Sequence, residues 1–156
     1  MSVRVLVQQA AFDIGAETLR LSNLSEHIGG MGLFVGQVRG GDGLLSLTLE
    51  HYPSMTETIL NQLAQEAMQR FSLLGCTLIH RVGRLEVGEP IVLVGAAAAH
   101  RGAALSATSF LIDRLKTGAP FWKKEEFANG HTAWVDAREE DEHAAAAWTR
   151  TAPSSS

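Results

Sequence analysis

The sequence predicts an α+β domain, in which helices and strands are mixed and neighbouring strands are joined by short links. Three observations predict it. Val3, Val5 and Val7, and again Leu45, Leu47 and Leu49, alternate with other residues at the two-residue period of strands. Ile59, Leu63, Ala67 and Phe71 recur at helical spacing. The links Gly40–Gly43 and Gly88-Glu89-Pro90 are too short to be the helical crossovers that a doubly wound parallel sheet requires.

In chain order, the first strand is expected over Val3–Val7, with one face fully buried. Gly29–Gly32 reads as a flexible turn into a strand over Leu33–Arg39. The strand ends at Gly40-Gly41-Asp42-Gly43, and the Leu45–Leu49 alternation beyond that turn predicts a hairpin. Ser54-Met55-Thr56-Glu57 has the spacing of a capping box, which starts a helix that Gly75 closes. Thr77–Val82 and Ile91–His100 are two further strands. Gly102–Leu115 is a second main helix, with Leu105, Phe110, Ile112 and Leu115 apolar and Gly118 and Pro120 as its stop. Pro120–Glu125 is extended, and Ala133–Val135 is a short last strand.

Composition narrows the function. The 156 residues suit one domain, expected over 1–138, followed by an acidic, alanine-rich tail over 139–156 whose Pro-Ser-Ser-Ser end frays. With 46% apolar residues a sizeable core is available, and wholesale disorder is excluded. Thirteen Lys+Arg against 17 Asp+Glu give a net charge of −4, which speaks against a general nucleic-acid binder. The lone Cys76 permits no internal disulfide, no cysteine zinc site and no redox pair. The N-terminus lacks a secretory apolar core, and Ile91–Ala99 is too short to span a bilayer. These features predict a cytoplasmic protein with no membrane partner.

Familiar chemical motifs are missing. Gly30-x-Gly32-x-x-x-Gly36 has the wrong spacing for a dinucleotide fingerprint, and no P-loop or Gly-x-Ser-x-Gly occurs. The six histidines show no metal-ligand spacing, so neither metal nor cofactor is expected. Cations at the ends of elements remain. Ten arginines are spread along the chain, but all three lysines, Lys116, Lys123 and Lys124, fall within nine residues. Arg39 ends a strand, and His100-Arg101 enters a helix whose free amides favour an anion. Such a cluster on an acidic protein suits a small anionic ligand.

Several blocks carry a family resemblance. Phe34-Val35-Gly36-Gln37-Val38-Arg39, Leu49-Glu50-His51-Tyr52 with Met55, His80-Arg81-Val82-Gly83 and Val87-Gly88-Glu89 belong to it. So do His100-Arg101, Ile112-Asp113-x-Leu115-Lys116 and Pro120-x-Trp122-Lys123-Lys124-Glu125. In this order, over about residues 3–136, the chain resembles the large, catalytic subunit of molybdopterin synthase. Gly29-Gly30 departs from that family's usual Gly-Ala, which implies a looser loop there.

The resemblance implies an α/β hammerhead-type fold and a sulfur transfer. Cyclic pyranopterin monophosphate would become molybdopterin as two dithiolene sulfurs are installed. The sulfur would come from a thiocarboxylate on the C-terminal Gly-Gly of a small ubiquitin-like subunit. The expected assembly is a homodimer of this chain within a heterotetramer. The matching motifs would make Lys116 and Lys123 the catalytic pair. Arg39, His100, Arg101 and Lys124 would bind substrate, Phe34 would line the pocket, and Arg138 would reach across the dimer. Two other readings compete: a non-catalytic dimeric scaffold that docks a ubiquitin-like protein, and an enzyme acting on another phosphorylated heterocycle.

Overall fold

A computed structural model describes residues 2–135; Arg138 and the 139–156 tail lie outside the described residues. The fold is α+β, as the alternation of periods predicts. Its elements are β1 (Ser2–Gln8), α1 (Ile14–Ser22), β2 (Gly30–Gln37), β3 (Leu44–His51), α2 (Pro53–Arg70) and β4 (Gly75–Arg81). They continue with β5 (Gly83–Glu86), β6 (Pro90–Ala98), α3 (Arg101–Gly118), β7 (Phe121–Phe127) and β8 (Thr132–Val135).

The strands form two four-stranded sheets, ordered β1-β4-β6-β2 and β5-β3-β7-β8. Among the described strands, only β1 and β4 pair in parallel. The main core lies between the first sheet and the helices α2 and α3, where Leu60, Ala64, Leu78, Val94, Phe110 and Leu111 are buried. Leu21 of α1 covers the opposite face of that sheet, against Gly95. A smaller core of Val38, Leu47, Leu49 and Leu85 supports the second sheet.

Several expectations are corrected. β2 and β3 do not form a hairpin; β2 pairs with β6, and β3 with β5 and β7. Val38 explains why. Its side chain is buried in the second core, and its backbone bonds Glu89 O at 3.0 Å and Gly88 N at 2.8 Å, so the chain changes sheet there. The positive φ of Gly88 (92°) and of Gly41-Asp42-Gly43 lets the two links turn this tightly. The two main helices, α2 and α3, are accompanied among the described residues by a third, shorter one, α1. α1 escaped notice because its apolar stripe is short, although Asp13 caps it by accepting from Ala16 N at 2.9 Å.

α2 begins at Pro53 and not through a Ser54–Glu57 box, since a proline in the first turn has its φ already set for a helix. Its end comes at Arg70, before Ser72 with φ 52°, while Gly75 is the first residue of β4. β1 is only half-buried on both faces, because it is an edge strand.

Gly29–Gly32 is not a loose turn. Gly29 N bonds Ala98 O at 2.9 Å and β2 starts at Gly30. A Cβ at Gly32 would meet Thr108 Oγ1 and lie 2.7 Å from the Ala104 carbonyl, so α3 packs directly on the β2 backbone. Gly32→Ala is therefore expected to destabilise the domain by about 1–3 kcal/mol through overpacking. Urea denaturation would check it, and an unchanged midpoint would contradict the close packing of α3.

Candidate active site

The path of α3 decides which cations meet. β6 delivers buried residues up to Ala98, and His100 then caps α3 in an extended conformation (φ −134°, ψ 149°) without a side-chain cap bond. His100 and Arg101 are exposed beside the first amides of the helix, an arrangement that favours anions. From there α3 runs back along the first sheet. Its start lies over Gly30, 3.5 Å from where a Cβ would stand to Arg101 Cα, and its middle lies over Gly32. Lys116, exposed in the last turn, therefore reaches the other end of the sheet. At about 1.5 Å per residue, Arg101 and Lys116 are about 22 Å apart along the helix.

Arg39 belongs to the Lys116 end. It follows β2 at the edge where Gln37 pairs with Pro90, whereas Gly30, at the other end of β2, pairs with Ala98 near His100. The Val38 backbone bonds fix its base, and its side chain is exposed. Phe34 is half-buried and packs against the main core. Ile112, one turn before Lys116, does the same.

β7 carries the other lysines, and its pleat separates them. Lys123 stands opposite Leu49 and Phe121 opposite His51, on the face that holds the second core. Lys124 stands opposite Thr48, and Trp122 opposite Glu50, on the other face. That outer face is aromatic and open: Trp122 and Trp134 are 38% and 58% exposed, and Tyr52 meets Trp122 edge-on at 4.9 Å. Lys123 and Lys124 therefore serve different faces of the second sheet.

Neighbouring charges are already committed. Arg81 is buried; its Nε and Nη2 donate to Gln9 O at 3.2 and 3.0 Å, and its Nη1 donates to Glu89 at 3.2 Å. Glu89 also accepts from Glu86 N at 2.6 Å, and these bonds hold its carboxyl below the usual range. Arg81 is thus a strut, not an anion receptor. Burial pushes the Cys76 thiol up to about 12, so the chain's one sulfur nucleophile is protonated and enclosed. No group of three or more metal-ligating side chains is gathered among the described residues. No described helix is long and apolar enough to cross a membrane.

Sequence reasoning overlooked His51, His80 and Phe121, which adjoin Lys123. The two histidines stand inside blocks that carried the resemblance, but nothing in their spacing shows that they meet across the two sheets.

Fold and candidate site together define an α+β protein with exposed Arg39 and Lys116 toward one end of its first sheet and its single thiol buried. The MoaE protein family model matches residues 7–118. The molybdopterin synthase catalytic subunit of Pseudomonas aeruginosa is 51% identical over 151 residues, 95% of this chain and 99% of that protein. A solved molybdopterin biosynthesis MoaE protein from Burkholderia ambifaria superposes with TM-score 0.82 at 43% identity, covering 94% of this chain and 98% of that one. A complex of subunits 1 and 2 of molybdopterin-converting factor from Helicobacter pylori shares the fold, with TM-score 0.66 at 23% identity, covering 88% and 90%. The chain belongs to the MoaE protein family.

Proposed function

We propose that this chain is the catalytic subunit of a molybdopterin synthase, a cytoplasmic sulfurtransferase of molybdenum cofactor biosynthesis. The observation that carries the reading is that α3 carries Lys116 toward the end of the first sheet where Arg39 follows β2 and where His80, at the end of β4, lies near Lys123, while the thiol of Cys76 is buried toward the other end. Substrate phosphate and thiocarboxylate are both anionic, so bringing them together requires concentrated positive charge. Sulfur must then come from a partner, which fits a small ubiquitin-like carrier ending in a Gly-Gly thiocarboxylate. Lys116 and Lys123 polarise the thiocarboxylate carbonyl and move protons as sulfur passes to cyclic pyranopterin monophosphate. Arg39 holds substrate anion beside them, and Lys124 attracts anions from the outer face. The test is to combine the purified chain, a thiocarboxylated small subunit and the cyclic pterin, and to assay dithiolene product. No product would overturn the reading.

His100 and Arg101 lie too far from Lys116 to hold the same small molecule in one chain. In a homodimer they serve the neighbour's lysines, as Arg138, outside the described residues, would also do. The open aromatic face of Trp122, Trp134 and Tyr52 suits such an interface. Light scattering is expected to give a dimer that gains mass as the small subunit is added, up to a heterotetramer. A monomer at micromolar concentration with no gain in mass would contradict the assembly.

A further inference from the structure

His80 and His51 flank the start of β7. The His80 ring, one residue from the end of β4, stacks on Phe121 with centroids 3.8 Å apart and planes 14° from parallel. His51, the last residue of β3, stands opposite Phe121 with its ring 6.0 Å away. β4 and β7 belong to different sheets that share no ladder, so this stack ties one sheet to the other beside the lysines. In the chain, Phe121 follows Lys116 by five residues and precedes Lys123 by two. It therefore anchors the segment that sets the spacing of the pair.

The ring that holds Phe121 is neutral. His80 Nδ1 lies 2.8 Å from the Arg81 carbonyl, which can only accept, so Nδ1 carries the proton and Nε2 is left as an acceptor. Burial brings the His80 pKa down to about 4, against the raising effect of the Arg81 bond; the charges of Lys123 and His51 add to the lowering. At neutral pH the ring is a flat uncharged surface that neither repels Lys123 nor competes with it for an anion. Its Nδ1 bond fixes the ring plane against which Phe121 lies.

We infer that His80 is a positioning residue for Lys123: by clamping Phe121 it fixes where β7 presents that ammonium to the substrate. The inference rests on the assignment of Lys123 to the catalytic pair. The chain has only three lysines, so selective labelling at lysine Cε gives three resonances, assignable from single Lys→Arg variants.

In His80→Ala the Lys123 resonance is expected to shift while that of Lys124, on the opposite face, stays in place. Turnover should fall about tenfold or more with KM for the pterin little changed, the signature of a misplaced group. His80→Phe keeps a flat ring and is expected to restore both the resonance and most of the turnover. An unmoved Lys123 resonance in His80→Ala would overturn the inference, as would equal shifts of all three resonances with a lower Tm. Should His80→Ala fail to fold, His80→Leu decides, because it fills the volume without a flat face: a displaced Lys123 resonance supports positioning and an unmoved one refutes it. A displaced resonance with normal turnover supports the positioning and instead removes Lys123 from the catalytic pair.

Discussion

Lys116→Ala is expected to keep fold, dimer and partner binding and to lose roughly 100-fold or more in turnover, the scale of a lost acid/base group. Lys116 is exposed at the C-terminal end of α3, where a purely structural ammonium interacts with the helix dipole for only about 0.3–1 kcal/mol. Any surface contact of this exposed ammonium adds no more than about 1 kcal/mol, so its removal should change Tm little. Ile112, on the same face one turn earlier, stays packed on the main core and holds the helix end in place. Lys116→Arg sharpens the test, because arginine keeps the charge but cannot release a proton near neutrality. A lysine that only attracts anions would tolerate the arginine. One that moves protons, or contacts the thiocarboxylate directly, would not. Single-turnover assays with thiocarboxylated partner would distinguish these outcomes, and near-normal rates in both variants would remove Lys116 from the mechanism.

Local periodicity revealed what depends on local residues. The strands around Val3–Val7, Leu45–Leu49 and Ile91–Ala98, and the helices α2 and α3, follow from apolar spacing in a few consecutive residues. Pairing between strands does not. Gly40–Gly43 looks like a hairpin turn, yet the burial of Val38 in the second core sends the chain to another sheet, and no local signal reports a distant core. Gly32 reads as a turn residue until Ala104 and Thr108 are known to lie over it. The candidate site divides in the same way. The lysine cluster was visible as composition, but the pleat that parts Lys123 from Lys124 depends on strand register. The distance between Arg101 and Lys116 depends on α3 being one unbroken helix, and the His80–Phe121 stack depends on two sheets meeting.

Mixed dimers are expected to recover activity that two inactive variants lack. Arg101→Ala removes the proposed anion receptor at the start of α3, and Lys116→Ala removes the proposed catalytic group at its end. Each homodimer is damaged at both of its sites. If a site takes its lysines from one copy and His100-Arg101 from the other, a mixed dimer concentrates both lesions in one site and leaves the second intact. Random reassociation of equal amounts then yields about half mixed dimers, and so roughly a quarter of wild-type activity, well above either parent. If each chain builds its own site, every site in the mixture carries one lesion and nothing is recovered. The helix length favours the first outcome, since about 22 Å separates the two positions in one chain. The measurement is dithiolene formation after denaturation and refolding of the mixed variants, with each variant refolded alone as the control. Activity no higher than the mean of those controls would place all the anion-binding residues of a site within one chain and require Arg101 to act away from the chemistry.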